Sequence, residues 1–490
     1  MKRVIPNLRP VVVLKALEYV GLALFTFVVP RTMGPESYGS FAAVLAMVGL
    51  LTMSTGLGAH TTFGRFVPEY IERGDHSAIS RLYTQLLAVR VGIAVPLGGA
   101  LSIAVILLLP ELGLRTSFFV AGAFIVGAVG MTGYQLLFGL NRLAPSMLAT
   151  GLSRLLLAMG VLGIGPDATP SQAVEVLFWL ELGLATLALV WAAPFFDGSV
   201  LRSSVTDVRE ALRFGAVFLA ASLLLATVWR AGEVVITVLS ASRAEISFYS
   251  IASAIAMAVA GLLGQVTALL IPTVTVLHLR GESRRFEDWM ATSLRYMTIM
   301  SCVVIIGVFT ASDWVFPMIL GPGFERVSLN LKILSIGLVP LGLVRTAYSV
   351  AVVHKAARQV VLVGIEGVAA FLLLTAILVP GLESLGASIA VTTAFFVSGA
   401  RSIQRMELAT IVARSRLGRS LAPAVALALL WVPLLPRLMA GGLALATYLG
   451  VATALGVIRA DELRLGQRRL FGRSTEQPNS VREEVVDAPI

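Results

Sequence analysis

The sequence contains little charge, almost no cysteine and few histidines. Only 13% of its 490 residues are charged, whereas soluble domains have about a quarter. Cys302 is the only cysteine, which excludes an internal disulfide and a thiolate metal site, and the four histidines lack metal-ligand spacing. No lysine follows a glycine, so the phosphate loop of ATP-hydrolysing proteins is absent. We therefore expect no metal, no cofactor and no catalytic centre.

The sequence consists largely of long hydrophobic runs. Hydrophobic residues make up 57% of the chain and its mean hydropathy is +0.88. Most runs exceed the roughly 18 residues that mark a membrane-spanning helix. The sequence thus predicts an all-α polytopic membrane protein with about fourteen transmembrane helices, centred on 11–30, 40–60, 86–109, 117–138, 143–164, 174–195, 214–239, 247–271, 293–311, 328–352, 359–380, 384–400, 421–437 and 440–458. Prolines interrupt the last pair, for which a re-entrant hairpin is the alternative.

The positions of Lys and Arg predict the orientation of the chain. With the N-terminus inside, 26 of these residues fall in the inner loops and the tail, and 6 fall in the outer loops. Because cytoplasmic loops accumulate basic residues, we expect a plasma-membrane protein with both termini in the cytoplasm. The net charge of +10 then reflects topology and attraction to anionic membrane lipids rather than a nucleic-acid partner.

Short polar segments recur about two hundred residues apart. Gly39-Ser40-Phe41 aligns with Ser247-Phe248-Tyr249 at an offset of 208, and Arg73-Gly74-Asp75 aligns with Arg280-Gly281-Glu282 at an offset of 207. The repeat predicts two pseudo-symmetric six-helix lobes at 1–195 and 214–405, joined by a cytoplasmic linker at 196–213. An additional helix pair at 406–460 and a disordered tail at 461–490 would follow. Corresponding helices are six spans apart, so the lobes are expected to run parallel, with a cavity between them.

Two stretches resemble a known family. Residues 34–75, GPESYGSFAAVLAMVGLLTMSTGLGAHTTFGRFVPEYIERGD, are similar to the amino-terminal signature of the polysaccharide transporter family, the O-antigen and lipid-linked oligosaccharide flippases. Residues 230–255, RAGEVVITVLSASRAEISFYSIASAI, resemble the start of that family's second lobe. The family belongs to the superfamily of multidrug, oligosaccharidyl-lipid and polysaccharide exporters.

This resemblance implies a function. The protein would carry a polyprenyl-pyrophosphate-linked oligosaccharide from the cytoplasmic to the outer leaflet for cell-surface polysaccharide synthesis. Transport would proceed by alternating access through a cationic central cavity. The implied partners are this lipid-linked substrate, membrane lipids and other membrane proteins of glycan assembly.

Charges inside predicted spans indicate where a substrate would bind. A charge in hydrocarbon costs about 2.5–3.5 kcal/mol on insertion scales, so it marks a functional candidate. Arg230, Arg345 and Arg154 are predicted to bind substrate phosphate, because arginine combines permanent charge with a planar fork. Glu233 and Glu366 are candidates for ion pairing or coupling, and Glu366 occupies the repeat position of Arg154, which it would face. The alternative for each residue is a buried structural ion pair.

Other intramembrane charges have simpler interpretations. Arg90 and Arg295 lie near the predicted cytoplasmic ends of their spans, from which their side chains would reach the interface. Glu18, a further candidate for ion pairing or coupling, stands three residues after Lys15 and shares its helix face.

Two other classes of function stay open at this point. A cation-coupled multidrug exporter of the same superfamily would need acidic coupling residues within its spans. A membrane-embedded glycan polymerase or acyltransferase would need a large outer loop or a cluster of catalytic side chains. The sequence shows neither of these enzyme features.

Overall fold

The structure is a computed structural model that describes residues 8–199, 206–240, 242–354, 356–421 and 437–454. These residues are mainly helical and contain no β-strand, which confirms the all-α part of the predicted fold class. They form fifteen α-helices, numbered here in chain order: α1 (Leu8–Met33), α2 (Pro35–Ser54), α3 (Ala59–Glu72), α4 (His76–Leu108), α5 (Gly113–Gly139), α6 (Leu143–Ile164), α7 (Pro170–Ala192), α8 (Thr206–Leu239), α9 (Arg243–Leu279), α10 (Ser283–Leu320), α11 (Glu325–Ile336), α12 (Leu338–Val353), α13 (Ala357–Arg405), α14 (Ala409–Ser415) and α15 (Arg437–Ala454).

Length and apolar composition identify the candidate membrane spans. Nine helical stretches of the described residues are long and apolar enough to cross a membrane, and α11 with α12, bent by 41°, would make a tenth. The chain is therefore a multi-pass membrane protein. The count of about fourteen spans and the side of each terminus stay predictions. Residues 422–436 of the predicted thirteenth span, 200–205 of the linker and 461–490 of the tail lie outside the described residues.

Local sequence sets several helix starts. Gly34, with φ at +77°, ends the turn before α2, and Pro35 begins the helix where no backbone donor is needed. The Asp75 carboxylate caps α4 by accepting a hydrogen bond from the third residue after it. Thr169 and Gln172 form a reciprocal capping box at the start of α7. These polar signals end the apolar runs at the loops.

Helix α13 consists of two helical segments joined at Glu383. This residue has φ at 53° and ψ at −125°, which breaks the helix between residues 357–382 and 384–405. The Glu383 carboxylate accepts a hydrogen bond of 3.0 Å from Arg326. The break lies between the predicted spans 359–380 and 384–400. The two segments correspond to those two spans.

Small residues allow neighbouring helices to approach closely. Helix α1 packs mainly against α6, where a Cβ atom on Gly21 would lie 2.7 Å from the backbone nitrogen of Leu155. Helix α5 packs mainly against α7, where a Cβ on Gly130 would lie 2.7 Å from the Cα of Ala185. Such contacts replace the hydrophobic driving force that is missing in lipid.

Helix order and packing recur along the chain. Helix α8 packs against α13 as α1 packs against α6, with Gly364 of the first α13 segment beside Leu224. The stretch Pro35–Glu72 covers 38 residues, and α9, at the corresponding place in the second half, covers 37. The division into two lobes, with the stated boundaries, stays a prediction.

The prediction that Arg90 and Arg295 reach the interface is wrong. Arg90 is 1% exposed and Arg295 is 5% exposed. The Arg90 guanidinium donates hydrogen bonds to the side chains of Thr132 and Gln135, both at 3.2 Å, and to the carbonyl of Thr52 at 3.3 Å. Helices α2 and α5 supply these acceptors, so the charge is held inside the helix bundle.

Candidate substrate cavity

A cavity of about 520 Å³ lies between α1, α2, α6, α8 and α9. Charged and hydroxyl-bearing side chains make up much of its wall, and we call it the polar chamber. Those residues include Tyr38, Ser153, Arg154, Arg230, Ser250 and Ser253. A chamber with cations and hydroxyl groups offers both charge and hydrogen bonds to a ligand.

Arg154, on α6, lies against an aromatic ring in this chamber. Its guanidinium carbon is 4.9 Å from the centroid of the Phe25 ring on α1. Among the described residues, no hydrogen bond or ion pair involves the Arg154 side chain. A cation–π contact stabilises a guanidinium without neutralising it. Its charge therefore stays available to a ligand.

Arg230 and Glu233 lie one turn apart on α8, and both line the polar chamber. No ion pair between described residues joins them, and Arg230 makes no hydrogen bond to a described residue. Glu233 is 3% exposed, and one of its carboxylate oxygens accepts a hydrogen bond of 3.1 Å from Ser253. Its other oxygen is buried and has no hydrogen-bond partner among the described residues. The two side chains therefore do not form a locked salt bridge.

A second cavity of about 420 Å³ lies between α8, α9, α12 and both segments of α13. Its wall is mainly aliphatic and aromatic, and we call it the apolar chamber; its residues include Leu224, Val228, Val344, Val360, Val363 and Phe395. Arg345 of α12 is a cation in this wall, and its Nε is buried without a hydrogen-bond partner among the described residues. Gly264 gives it space, because a Cβ there would lie 3.6 Å from the guanidinium carbon.

The two chambers adjoin at Arg230. Arg230, Met257 and Gly261 line both of them. The structure thus brings Arg154 and Arg230 together in the polar chamber, and Arg230 and Arg345 together in the apolar chamber. Three arginines chosen from the sequence line one continuous region.

The remaining predicted acids differ in position. Glu18 lines the polar chamber and forms a 2.7 Å ion pair with Lys15. Glu366 does not face Arg154; it pairs instead with Arg405 and, at 3.3 Å, with Arg401. These arginines come from the second segment of α13, which the break at Glu383 brings alongside the first. Sequence spacing alone did not predict that the two segments of α13 lie side by side.

Hydroxyl-bearing residues of the site were not singled out from the sequence. Tyr38 is 2% exposed and, like Ser250 of α9, lines the polar chamber. Ser250 and Ser253 are three residues apart, so they share one helix face. Tyr38 belongs to the polar segment GPESYGSF, Ser250 lies within the counterpart ASRAEISFYSI, and Ser253 follows two residues after that counterpart. The recurrence of these polar segments was the sequence signal that could have identified the three hydroxyl-bearing residues.

The polar segments that recur in the sequence meet in the structure. At the start of α2, a Cβ on Gly39 would lie 1.8 Å from the carbonyl oxygen of Arg243 at the start of α9. The Arg243 Nε and the Ser40 hydroxyl each donate a 3.0 Å hydrogen bond to one carboxylate oxygen of Glu111. We call Gly39, Ser40, Glu111 and Arg243 the hinge junction. It lies at the predicted outer ends of these helices.

The chemistry of these residues favours anion binding over metal binding. The described part of the chain holds no group of three or more His, Cys, Asp and Glu side chains placed to bind a metal ion. Unpaired guanidinium groups, by contrast, match phosphate oxygens in charge and geometry. The chambers suit a ligand with an anionic group and hydroxyl groups.

Solved structures of transport proteins share this fold. The chain is similar to a structure described as lipid II flippase MurJ in an inward closed conformation, with 12% identity, a TM-score of 0.70, and coverage of 92% of this chain and 100% of that one. It is also similar to an inward-facing multidrug resistance MATE family transporter, with 13% identity, a TM-score of 0.63, and coverage of 82% and 98%. An outward-facing MATE family transporter gives 13% identity, a TM-score of 0.55, and coverage of 82% and 94%. Identities this low establish the fold alone.

Sequence comparison identifies the family. No curated protein sequence matches the chain. The family described as polysaccharide biosynthesis protein matches residues 11–278, more than half of the chain. This match spans both stretches on which the resemblance rested, and it confirms that resemblance. The chain belongs to the polysaccharide biosynthesis protein family and has the fold of flippases and transporters rather than that of an enzyme.

Proposed function

We propose that the protein is a flippase that carries a polyprenyl-pyrophosphate-linked oligosaccharide from the cytoplasmic to the outer leaflet. One observation carries the proposal: Arg154, Arg230 and Arg345 line adjoining chambers without an ion pair to any described residue. Unpaired charge within a membrane bundle is costly. A pyrophosphate would supply the missing counter-charge, and arginine binds phosphate through two parallel hydrogen bonds.

The lining of the polar chamber also suits a sugar. Tyr38, Ser153, Ser250 and Ser253 present hydroxyl groups beside two of the arginines. Hydroxyl groups both donate and accept hydrogen bonds, as do those of a glycan. The chamber of about 520 Å³ lies within the range of about 300–1,000 Å³ for small-ligand sites.

Alternating access accounts for release on the other side of the membrane. The hinge junction joins α2 and α9 at one end of the chambers through Gly39 and Arg243. Opening that junction while the opposite end closes would expose the arginines to the outer leaflet. The two lobes would move as bodies about the pseudo-two-fold axis.

The proposal also places the protein in the cell. It would reside in the plasma membrane with both termini in the cytoplasm, where O-antigen and other lipopolysaccharide precursors are made on lipid carriers. Its partners would be the lipid-linked oligosaccharide, membrane lipids and the membrane proteins that assemble and extend the glycan.

Transport by Arg230 variants tests the function. Purified protein is reconstituted with a fluorescent polyprenyl-pyrophosphate N-acetylglucosamine, and a membrane-impermeant quencher reports the labelled lipid that has changed leaflet. We expect Arg230→Ala to reduce the initial rate by at least about tenfold while the protein stays folded. Arg230→Lys should retain part of the rate, because it keeps the charge and loses only the planar fork.

The matched control is Arg419→Ala, which removes an exposed arginine outside both chambers. It should transport like the unchanged protein. Normal transport by Arg230→Ala, or loss of that variant through misfolding, would show that Arg230 is not a substrate ligand.

One observation favours a second candidate, a cation-coupled multidrug exporter. The buried Glu233 carboxylate has an oxygen without a hydrogen-bond partner among the described residues. Such an acid could bind a proton or a cationic drug. Under this alternative, Glu233→Gln abolishes efflux of a cationic dye and Arg230→Ala does not. Under the flippase proposal, Arg230→Ala has the larger effect, on the lipid substrate.

A further inference from the structure

Fewer charged and hydroxyl-bearing side chains line the apolar chamber than the polar chamber, namely Arg230, Arg345, Tyr348, Ser398 and Ser402. Aliphatic side chains from α8, α12 and the first α13 segment face its space of about 420 Å³, among them Leu224, Val344 and Val360. A sugar placed against such a surface would lose its hydrogen bonds with water, whereas a hydrocarbon group has none to lose. The aliphatic part of this lining therefore suits a hydrocarbon group better than a sugar.

Two arginines that line the apolar chamber indicate that its apolar ligand group is attached to an anion. The Arg345 Nε is buried without a hydrogen-bond partner among the described residues, and Arg230 has no ion pair with any of them. Because neither guanidinium forms an ion pair with a described residue, a bound anion would stabilise both. Because Arg230 lines both chambers, an anion bound there lies at their boundary.

We propose that the apolar chamber binds the first isoprenoid units of the substrate's lipid tail. The pyrophosphate then lies between Arg230 and Arg345, and the glycan lies in the polar chamber. This inference rests on the proposed function and adds where the lipid binds. The order of surfaces in the protein, from polar through cationic to apolar, matches the order of groups in a glycan–pyrophosphate–isoprenoid ligand. The rest of a long polyprenyl chain would lie in the membrane.

Affinity as a function of prenyl length tests the proposal. Inorganic pyrophosphate, isopentenyl pyrophosphate and farnesyl pyrophosphate are titrated into the purified full-length protein by calorimetry. We expect farnesyl pyrophosphate to bind at least about tenfold more tightly than inorganic pyrophosphate, because only its tail can fill the apolar chamber. Isopentenyl pyrophosphate should lie between them.

Filling the chamber should remove this gain. Val360→Trp places a large ring inside the chamber from α13 and should bring farnesyl pyrophosphate to within about twofold of inorganic pyrophosphate. Leu224→Trp, from the opposite wall on α8, is the second variant. The matched control is Ile103→Trp, which adds the same ring at an exposed position outside both chambers and should keep the gain from the tail. Unchanged affinity for inorganic pyrophosphate shows that each variant is folded.

The outcomes separate this inference from the proposed function. If inorganic pyrophosphate binds through Arg230 but prenyl length adds nothing, the tail site is wrong and the flippase proposal stands. A gain that persists in Val360→Trp and Leu224→Trp places the tail elsewhere, for example in the detergent micelle. If both variants lose inorganic pyrophosphate as well, the chamber is not a separate tail site. If no probe binds in a manner that depends on Arg230, both proposals fail.

Discussion

Two arginines within the membrane bundle, Arg90 and Arg230, lie in opposite kinds of environment. Arg90 is 1% exposed, and the two terminal nitrogens of its guanidinium donate hydrogen bonds to three acceptors from α2 and α5. Its Nε, like that of Arg345, is buried without a hydrogen-bond partner among the described residues. Arg230 lines two adjoining chambers and has no hydrogen bond or ion pair to a described residue. From the sequence alone, Arg90 was expected to reach the interface and Arg230 to bind substrate.

The difference shows how to interpret charge inside a membrane bundle. Burial by itself does not mark a binding residue, because protein acceptors can satisfy a buried guanidinium. A cation beside a cavity without protein acceptors still lacks its partner, and a ligand can provide it. By this criterion Arg90 is part of the scaffold, and we expect Arg230, Arg345 and Arg154 to be ligand residues.

The largest expected effect is loss of stability on removing Arg90. Arg90→Ala leaves Thr132, Gln135 and the Thr52 carbonyl without their donor and creates a void. We expect the free energy of unfolding to fall by about 2–4 kcal/mol. Thermal unfolding of the detergent-solubilised protein, followed by size-exclusion chromatography, measures the change. An Arg90→Ala protein as stable as the unchanged one would contradict the scaffold role.

A smaller effect should come from ligand binding at Arg230. Pyrophosphate at about 100 times its Kd should stabilise the protein by about 2.7 kcal/mol if it binds only the folded state. The same addition should not raise the Tm of Arg230→Ala. Inorganic sulfate at equal ionic strength is the control for general salt effects. Equal stabilisation of both proteins would mean that the anion binds elsewhere.

Replacing Arg230 by an apolar residue should not destabilise the protein, in contrast to removing Arg90. Arg230→Met removes a charge that forms no ion pair with a described residue and keeps a long, flexible side chain. We expect the free energy of unfolding to stay within about 0.5 kcal/mol of its original value, or to rise. The thermal assay used for Arg90→Ala applies here. A loss as large as that in Arg90→Ala would place Arg230 in the scaffold and end the distinction.

The sequence predicted some parts of the molecule because they are local. The apolar runs that predicted the spans are local, and the helices begin at local signals such as Gly34-Pro35, Asp75 and Thr169. Arg154, Arg230 and Arg345 were chosen because intramembrane charge is rare, and the structure places them beside the two chambers. Their role as substrate ligands stays a prediction. The acceptors of Arg90, in contrast, lie 38 to 45 residues away, and only packing brings them together.

The same reason explains the outcome for Glu366. Its predicted partner, Arg154, came from repeat spacing, whereas its observed partners, Arg401 and Arg405, come from the chain reversal at Glu383. No short sequence motif predicts that a glutamate adopts a φ of 53° and breaks the helix. Spacing between repeats predicts equivalent positions, but it does not predict which side chains touch.

A small effect on both stability and transport follows from that pairing. Glu366 is partly exposed, and it lines neither the polar nor the apolar chamber. Pairs of this kind contribute at most about 1 kcal/mol, so Glu366→Gln should change the Tm by less than about 3 °C. Transport of the labelled lipid should be unchanged, since no group of the substrate is expected near it. Glu233→Gln is the matched comparison, because it makes the same chemical change at a buried carboxylate inside the polar chamber. If Glu366→Gln stopped transport while Glu233→Gln did not, position beside a chamber would not be what makes an intramembrane charge functional.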